Sequence, residues 1–366
     1  MYSNGPAGPG KVPFVMRAIA PDAVPLDQHK LFQFTRELID IDSTSGQEAA
    51  AGERVADFLR HADGCAGELE VELWEAAPGR YNVFARRGRP IVVLSTHLDT
   101  VPPFFPSRED DHALYGRGAC DAKGIVAAQV FAARALIAAG RTDFGLLFVV
   151  GEERDSAGAI AANQRPQGAR FLVNGEPTES RMIRAGKGVL RLELHAHGRT
   201  AHSAYPELGE SATDKLLEAL TRLRALPLPS DPDLGATTMN LGTLSGGRAP
   251  NVVADDARAE LLIRMVADAA PLRAQIQAAV AGWAEPIFGL DLPPVRLRTV
   301  PGFPTGIVAF GTDIPMLDAW GEPLLFGPGS IHVAHTAGEW IAKPELAASV
   351  GAYAAIVAGL QALPLS

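Results

Sequence analysis

Apolar residues in this chain come in short unbroken runs, at 91–94, 146–150, 171–173 and 324–326, and each run is followed closely by acidic or imidazole side chains. A strand exposed on one face alternates apolar and polar residues, so runs with no polar interruption predict strands of a parallel sheet buried on both faces. Helical spacing is found elsewhere: Leu31, Phe32, Phe34, Leu38 and Ile39 share one face, a second helix follows at 53–59, and residues 122–139 predict an alanine-rich helix closed by Gly140. Residues 344–360 predict a last helix.

Beyond Gly186 the pattern changes. Residues 189–197 alternate as a half-exposed strand and 212–223 read as an amphipathic helix; strands at 237–244 and 256–265, a helix at 272–283 and a strand at 295–300 follow. Strand-helix-strand-strand-helix-strand is the ferredoxin-like order. Residues 187–299 therefore predict an inserted α+β domain. Residues 26–186 and 300–366 form an α/β domain with a mixed, mainly parallel sheet flanked by helices. Residues 1–25, dense in proline and glycine, predict a loose arm.

A length of 366 residues agrees with two domains, because single cores stop growing below that size. The net charge of -9 and the lack of a basic run argue against nucleic acid as a partner. A 47% hydrophobic composition with mean hydropathy +0.07, and no long apolar stretch, argues against a membrane span. Two cysteines, Cys65 and Cys120, make no disulfide framework, and no signal sequence opens the chain, so a cytoplasmic location is expected.

The candidate chemistry lies at the ends of the apolar runs. His97, Asp121, Glu153, Glu176 and His335 supply imidazole and carboxylate donors enough for two divalent metals. In open α/β sheets ligands bind at the carboxyl ends of the strands, where four of these five fall. Asp99, two residues after His97, is a candidate to orient the imidazole. Taken singly, each has a plainer reading: His97 as a strand-end imidazole, Asp121 as a helix N-cap, Glu152 and Glu153 as a solvated acidic turn. Together they divide the labour of a two-metal hydrolase, Glu153 on the metal and Glu152 free to move protons. His332 competes with His335 as a ligand, and Cys120 is read as a small buried hydrophobe. His195 and His197 sit two apart on one strand face and could mimic a metal pair, but with no carboxylate assigned to join them a structural or surface role is expected.

The segments around His97, Asp121, Glu152-Glu153, Glu176 and His335 resemble, in order and spacing, the metal-site motifs of the co-catalytic zinc exopeptidase and deacylase family. That family includes acetylornithine deacetylase, succinyl-diaminopimelate desuccinylase, aminoacylase and glutamate carboxypeptidases. The resemblance implies that His97 and Glu176 hold one metal, Glu153 and His335 the other, and Asp121 bridges them, with Glu152 as general base and Asp99 behind His97. Zinc is the implied metal, with cobalt or manganese as substitutes. The inserted domain would be a lid that mediates a homodimer, and His202, in Gly198-Arg199-Thr200-Ala201-His202-Ser203, would reach the partner's site to stabilise an oxyanion. Asn251, Arg264 and Gly329 fall where relatives bind substrate; Arg264 is equally readable as a surface cation.

Glu rather than Asp at position 176 resembles the deacylases and carboxypeptidases. The expected function is removal of an acyl group from an N-acyl amino acid of the acetylornithine or diaminopimelate type, with a dipeptidase or carboxypeptidase as the alternative and a short peptide as its substrate. A catalytically silent metal-binding scaffold has no use for a free Glu152, and a two-metal phosphoesterase meets a more highly charged transition state than these motifs suit.

Overall fold

The computed structural model describes residues 26–364, so the arm expected over residues 1–25 lies outside the described residues. The chain divides into two compact units: the first runs to Arg184 and takes in Leu297–Gly306 and the chain from Thr312 onward, and the second comprises Ala185–Arg296 and Ile307–Gly311. The assignment of residues 300–366 wholly to the first unit is thus corrected at Ile307–Gly311. That segment pairs within the second unit, where the Lys187 N–H donates to the Val308 carbonyl at 3.0 Å.

In the first unit the strands Glu70–Ala77, Arg80–Arg87, Phe144–Val149, Val92–His97, Phe171–Asn174 and Glu322–Leu325 lie side by side in that order. The last four run parallel, and the first two form an antiparallel hairpin at the edge. The apolar runs are continuous because successive side chains feed two different cores. Val92, Leu94, Leu146, Phe148 and Val173 pack with the helices Gln28–Ile39, Ala49–His61, Lys123–Ala138 and Lys343–Gln361. Val93, Leu147, Val149 and Leu172 pack on the other face with Ala159, Ala162 and Trp320.

Val92–His97 lies between Phe144–Val149 and Phe171–Asn174. The helix leading into the first neighbour, Lys123–Ala138, packs on one face of the sheet, and Ala157–Asn163, leading into the second, packs on the other. The chain therefore reverses its winding at the carboxyl end of Val92–His97, which is where such sheets open a crevice. Gly158 lets the second helix close on the sheet, since a Cβ there would stand 2.4 Å from the Val150 nitrogen.

The second unit has strands Gly188–His197, Thr238–Gly246, Asp256–Met265 and Glu285–Leu292 in one antiparallel sheet, with helices Ala212–Arg224 and Ala269–Val280 on its apolar face. Strand order, Thr238–Gly246, Asp256–Met265, Gly188–His197, Glu285–Leu292, agrees with the ferredoxin-like reading. The last strand is Glu285–Leu292 rather than residues 295–300, because Pro286 and Gly289 disguise an edge strand. No helix among the described residues is long and apolar enough to cross a membrane.

Candidate metal centre

His97 ends its strand fully buried, and the Thr96 hydroxyl beside it donates to the Gly175 carbonyl at 2.8 Å, tying the end of this strand to the turn that carries Glu176. His97 Nδ1 contacts the Asp99 backbone carbonyl at 3.0 Å, nearer than the Asp99 carboxylate at 3.5 Å. With Nδ1–H directed at that carbonyl, Nε2 is the nitrogen left for a ligand.

The Asp99 carboxylate has a larger task than orienting one ring. Its Oδ1 accepts the Gly151 and Glu152 N–H groups at 3.0 Å each; its Oδ2 accepts the Glu153 N–H at 3.2 Å and the Ser45 hydroxyl at 2.6 Å. One buried carboxylate thus fixes the turn that aims Glu152 and Glu153 in different directions.

Asp121 lies two residues before the helix Lys123–Ala138, whose cap position is Ala122 and has no side-chain cap hydrogen bond. The cap reading is corrected. Asp121 is held from behind instead, where Glu339 accepts the Cys120 and Asp121 N–H groups at 3.1 Å and binds the buried Arg117 guanidinium at 2.6 Å. Both Asp121 carboxylate oxygens are left facing forward. Oδ1 lies 3.0 Å from His97 Nε2 and Oδ2 lies 3.4 Å from His335 Nε2.

Around that carboxylate the five donors form two groups. Glu176 Oε2 is 3.9 Å from His97 Nε2, and Glu153 Oε1 is 2.9 Å from His335 Nε2. His97, Asp121 and Glu153 each present a ligand atom within 4.8 Å of the others. His335 is set in left-handed backbone with φ 62°, a conformation that costs a non-glycine residue about 1 kcal/mol. Strain of that kind gathers at functional sites.

Electrostatics describe a cluster with an excess of negative groups. Burial and the Glu176 carboxylate push Glu152 well above the usual carboxyl range, and Glu176 is raised well above it as well, chiefly by its own burial. Burial also raises Glu153. Burial opposes the charged form of His97, but hydrogen bonds to Asp121 and Asp99 outweigh it and raise its pKa; Asp121 and Glu153 push His335 up to about 10. Asp121 is driven the other way, its burial outweighed by His335 and His97, and stays ionised. The buried Glu176 Oε1 has no hydrogen-bond partner. An orphaned carboxylate oxygen within a mixed imidazole and carboxylate set fits divalent cations.

The remaining expected residues fall as follows. Glu152 is partly buried beside the cluster, and among the described residues none donates a hydrogen bond to its carboxylate. His332 is exposed and joins no donor group, and Cys120 is a buried thiol whose pKa burial raises. Gly329, expected to bind substrate, donates its N–H to Glu345 at 2.9 Å, and its bare Cα makes room for Cys120, whose Sγ would lie 2.5 Å from a Cβ. In the second unit, His202 is exposed and its Nδ1 accepts the Ala204 N–H at 3.1 Å, which places the proton of the neutral ring on Nε2. Asn251 is exposed, its carbonyl accepting the Ser203 N–H at 3.0 Å, and Arg264 is half-buried on the strand Asp256–Met265. Sequence reasoning missed Ser45, Arg117, Glu339 and Asp313. Asp313 is a buried carboxyl that burial pushes up to about 7, close enough to Glu152 and Glu176 to raise both.

A mixed sheet with this crevice, carrying these donors beside a carboxylate that accepts no hydrogen bond, suits a metal-dependent hydrolase, and the family to which the chain belongs makes it one that acts on amide bonds. Residues 93–359 match the profile of Peptidase family M20/M25/M40, and the chain belongs to that family. It is 40% identical over 374 residues to a probable carboxypeptidase of Aspergillus clavatus, covering 89% of this chain and 82% of that one. Its fold is similar to aminopeptidase PepT of Bacillus cereus, with TM-score 0.78, 20% identity and coverage of 92% and 99%. It is likewise similar to the YXEP protein of Bacillus subtilis, described as a dinuclear metal-binding peptidase, with TM-score 0.66, 16% identity and coverage of 92% and 99%.

Proposed function

We propose that this chain is a two-metal carboxypeptidase that releases the C-terminal residue of a short peptide. The observation that carries the reading is the forward-facing Asp121, which offers one oxygen to each of two donor groups while Glu152 stands unbonded beside them. His97 and Glu176 would hold one cation and Glu153 and His335 the other, with Asp121 between them. The donor set favours zinc, with cobalt or manganese as substitutes. The choice of a peptide over an N-acyl amino acid is supported by the 40% identical relative named a probable carboxypeptidase.

When bound, the metals polarise the scissile carbonyl and acidify a water. Glu152 would take a proton from the attacking water and deliver it to the departing amine, a task suited to a carboxylate that no hydrogen-bond donor ties down. Asp99 keeps Glu152 and Glu153 in register. His202 Nε2–H is a donor for the oxyanion, supplied across a homodimer formed through the second unit. Asn251 and Arg264 bind the substrate, the guanidinium suiting a terminal carboxylate. The protein acts in the cytoplasm.

The test is a panel assayed on zinc- and cobalt-loaded protein: dipeptides and tripeptides, the same peptides amidated at the C-terminus, N-acetyl and N-succinyl amino acids, and a phosphate ester. Free peptides are cleaved and amidated ones are not; preferential cleavage of the N-acyl amino acids would overturn the peptide assignment. Glu152→Gln keeps both metals while kcat falls by roughly 10²–10⁴, and loss of metal would make Glu152 a ligand instead. His202→Ala lowers kcat more than it raises KM. Mixing it with Glu152→Gln regenerates activity in heterodimers, and no recovery would refute donation across subunits.

A further inference from the structure

A second donor cluster lies within the second unit, away in sequence from all five residues assigned above. His195 and His197 project from the same face of the strand Gly188–His197, and their ring centroids are 3.9 Å apart. Along the chain the nearest carboxylate is Glu193, on the same strand face, but it is engaged with Arg258 at 3.2 Å. The sheet supplies another: in the antiparallel pairing with Asp256–Met265, Asp256 stands directly opposite His197 and its carboxylate bonds His195 Nε2. This corrects the expectation that the histidine pair lacks an acidic neighbour. A ring nitrogen from each histidine and an Asp256 oxygen lie within 4.8 Å of one another. On the opposite neighbouring strand Glu285 is paired with His195, so its side chain shares the same face, with Cβ atoms about 4.5–5.5 Å apart.

We propose that His195, His197 and Asp256 form an accessory site for a borderline divalent cation of the zinc type, with Glu285 or water as fourth ligand. Two imidazoles and one carboxylate are a zinc ligand set, and the site keeps one open position. With bonds of about 2.0 Å the ligand atoms of a tetrahedral ion stand roughly 3.3 Å apart. The His195–Asp256 contact, at 2.5 Å, therefore opens by less than an ångström as the ion takes the place of the hydrogen bond between them. His195 is mostly buried, with its side chain 11% exposed, whereas Asp256 is 52% exposed; one ligand is rigid and the other has room to adjust. Arg258 is the competing cation, 3.6 Å from Asp256 Oδ1, but its other nitrogen bonds Glu193 at 3.2 Å, which draws it along the sheet. Lys215 donates to the His197 carbonyl at 2.9 Å and anchors the end of the strand that carries both rings.

The experiment is zinc binding to the full chain, measured by equilibrium dialysis and elemental analysis near neutral pH, for wild type and for the His195→Ala/His197→Ala double variant. Wild type takes up one equivalent more than the variant, whatever the occupancy of the centre at Asp121. Equal zinc content across the titration overturns the proposal. Should the double variant fold poorly by circular dichroism, Asp256→Asn replaces it. That exposed position tolerates the change, and its lost equivalent, or its failure to lose one, decides the matter. The comparison is a difference in stoichiometry, so failure of the carboxypeptidase reading leaves it intact.

Discussion

Asp99→Asn isolates what one buried carboxylate does for the whole centre. The substitution is nearly isosteric but leaves one acceptor oxygen where there were two. If the amide oxygen takes the place of Oδ1, it keeps the Gly151 and Glu152 N–H groups, and the new NH2 then confronts the Glu153 N–H and the Ser45 hydroxyl. Hydrogen bonds to a charged acceptor contribute about 1.5–3 kcal/mol each, so losing two costs roughly 3–6 kcal/mol before any relaxation. Ser45 can rotate to donate elsewhere, which brings the expected loss nearer the lower figure. Because the disturbed amide belongs to Glu153, that ligand moves, and metal affinity falls by about 10–100-fold, as it does when supporting partners of ligands are removed. Chelator competition measures the affinity and urea denaturation the stability. The pH dependence gives an independent check. His97 and Ser45 outweigh burial and hold the Asp99 pKa below its usual value, so its contribution is fully present above the unfolded pKa of about 3.9 and is lost as pH falls through the folded value. The stability gap between wild type and variant should therefore close in acid. Unchanged metal affinity, with Glu153 still in place, would refute the argument that Asp99 sets the turn.

Glu339→Gln leaves the Arg117 guanidinium buried without its counter-charge and should cost roughly 3 kcal/mol, visible as a lower denaturation midpoint; a midpoint like that of wild type would mean solvent reaches Arg117. Metal affinity should climb with pH, since the raised pKa values of His97 and His335 mean that a cation must displace their protons. Protons on the raised Glu176 and Glu153 carboxyls add to this dependence, and a flat profile in isothermal titrations would contradict the assigned ligands.

The sequence made the parallel core legible because burial on both faces leaves no polar interruption, and it made the donors legible because they follow those runs. The edge hairpin Glu70–Ala77 and Arg80–Arg87 was not legible: outward residues such as Glu70, Glu72 and Arg86 blur the pattern that Trp74, Val83 and Phe84 set. The strand Glu285–Leu292 was hidden by its proline and glycine. Within the site, what escaped was support rather than ligation. Nothing local in Glu339 announces that it clamps Asp121 from 218 residues away, and only strand register brings Asp256 to the histidine pair.

That long clamp has a consequence for biosynthesis. His97, Asp121, Glu153 and Glu176 leave the ribosome well before His335 and Glu339, so a nascent chain carries one complete donor pair beside a bridge still lacking its brace. On the proposed assignment the second donor pair and the brace behind Asp121 therefore exist only once translation has passed Glu339, so the centre closes last in the order of synthesis.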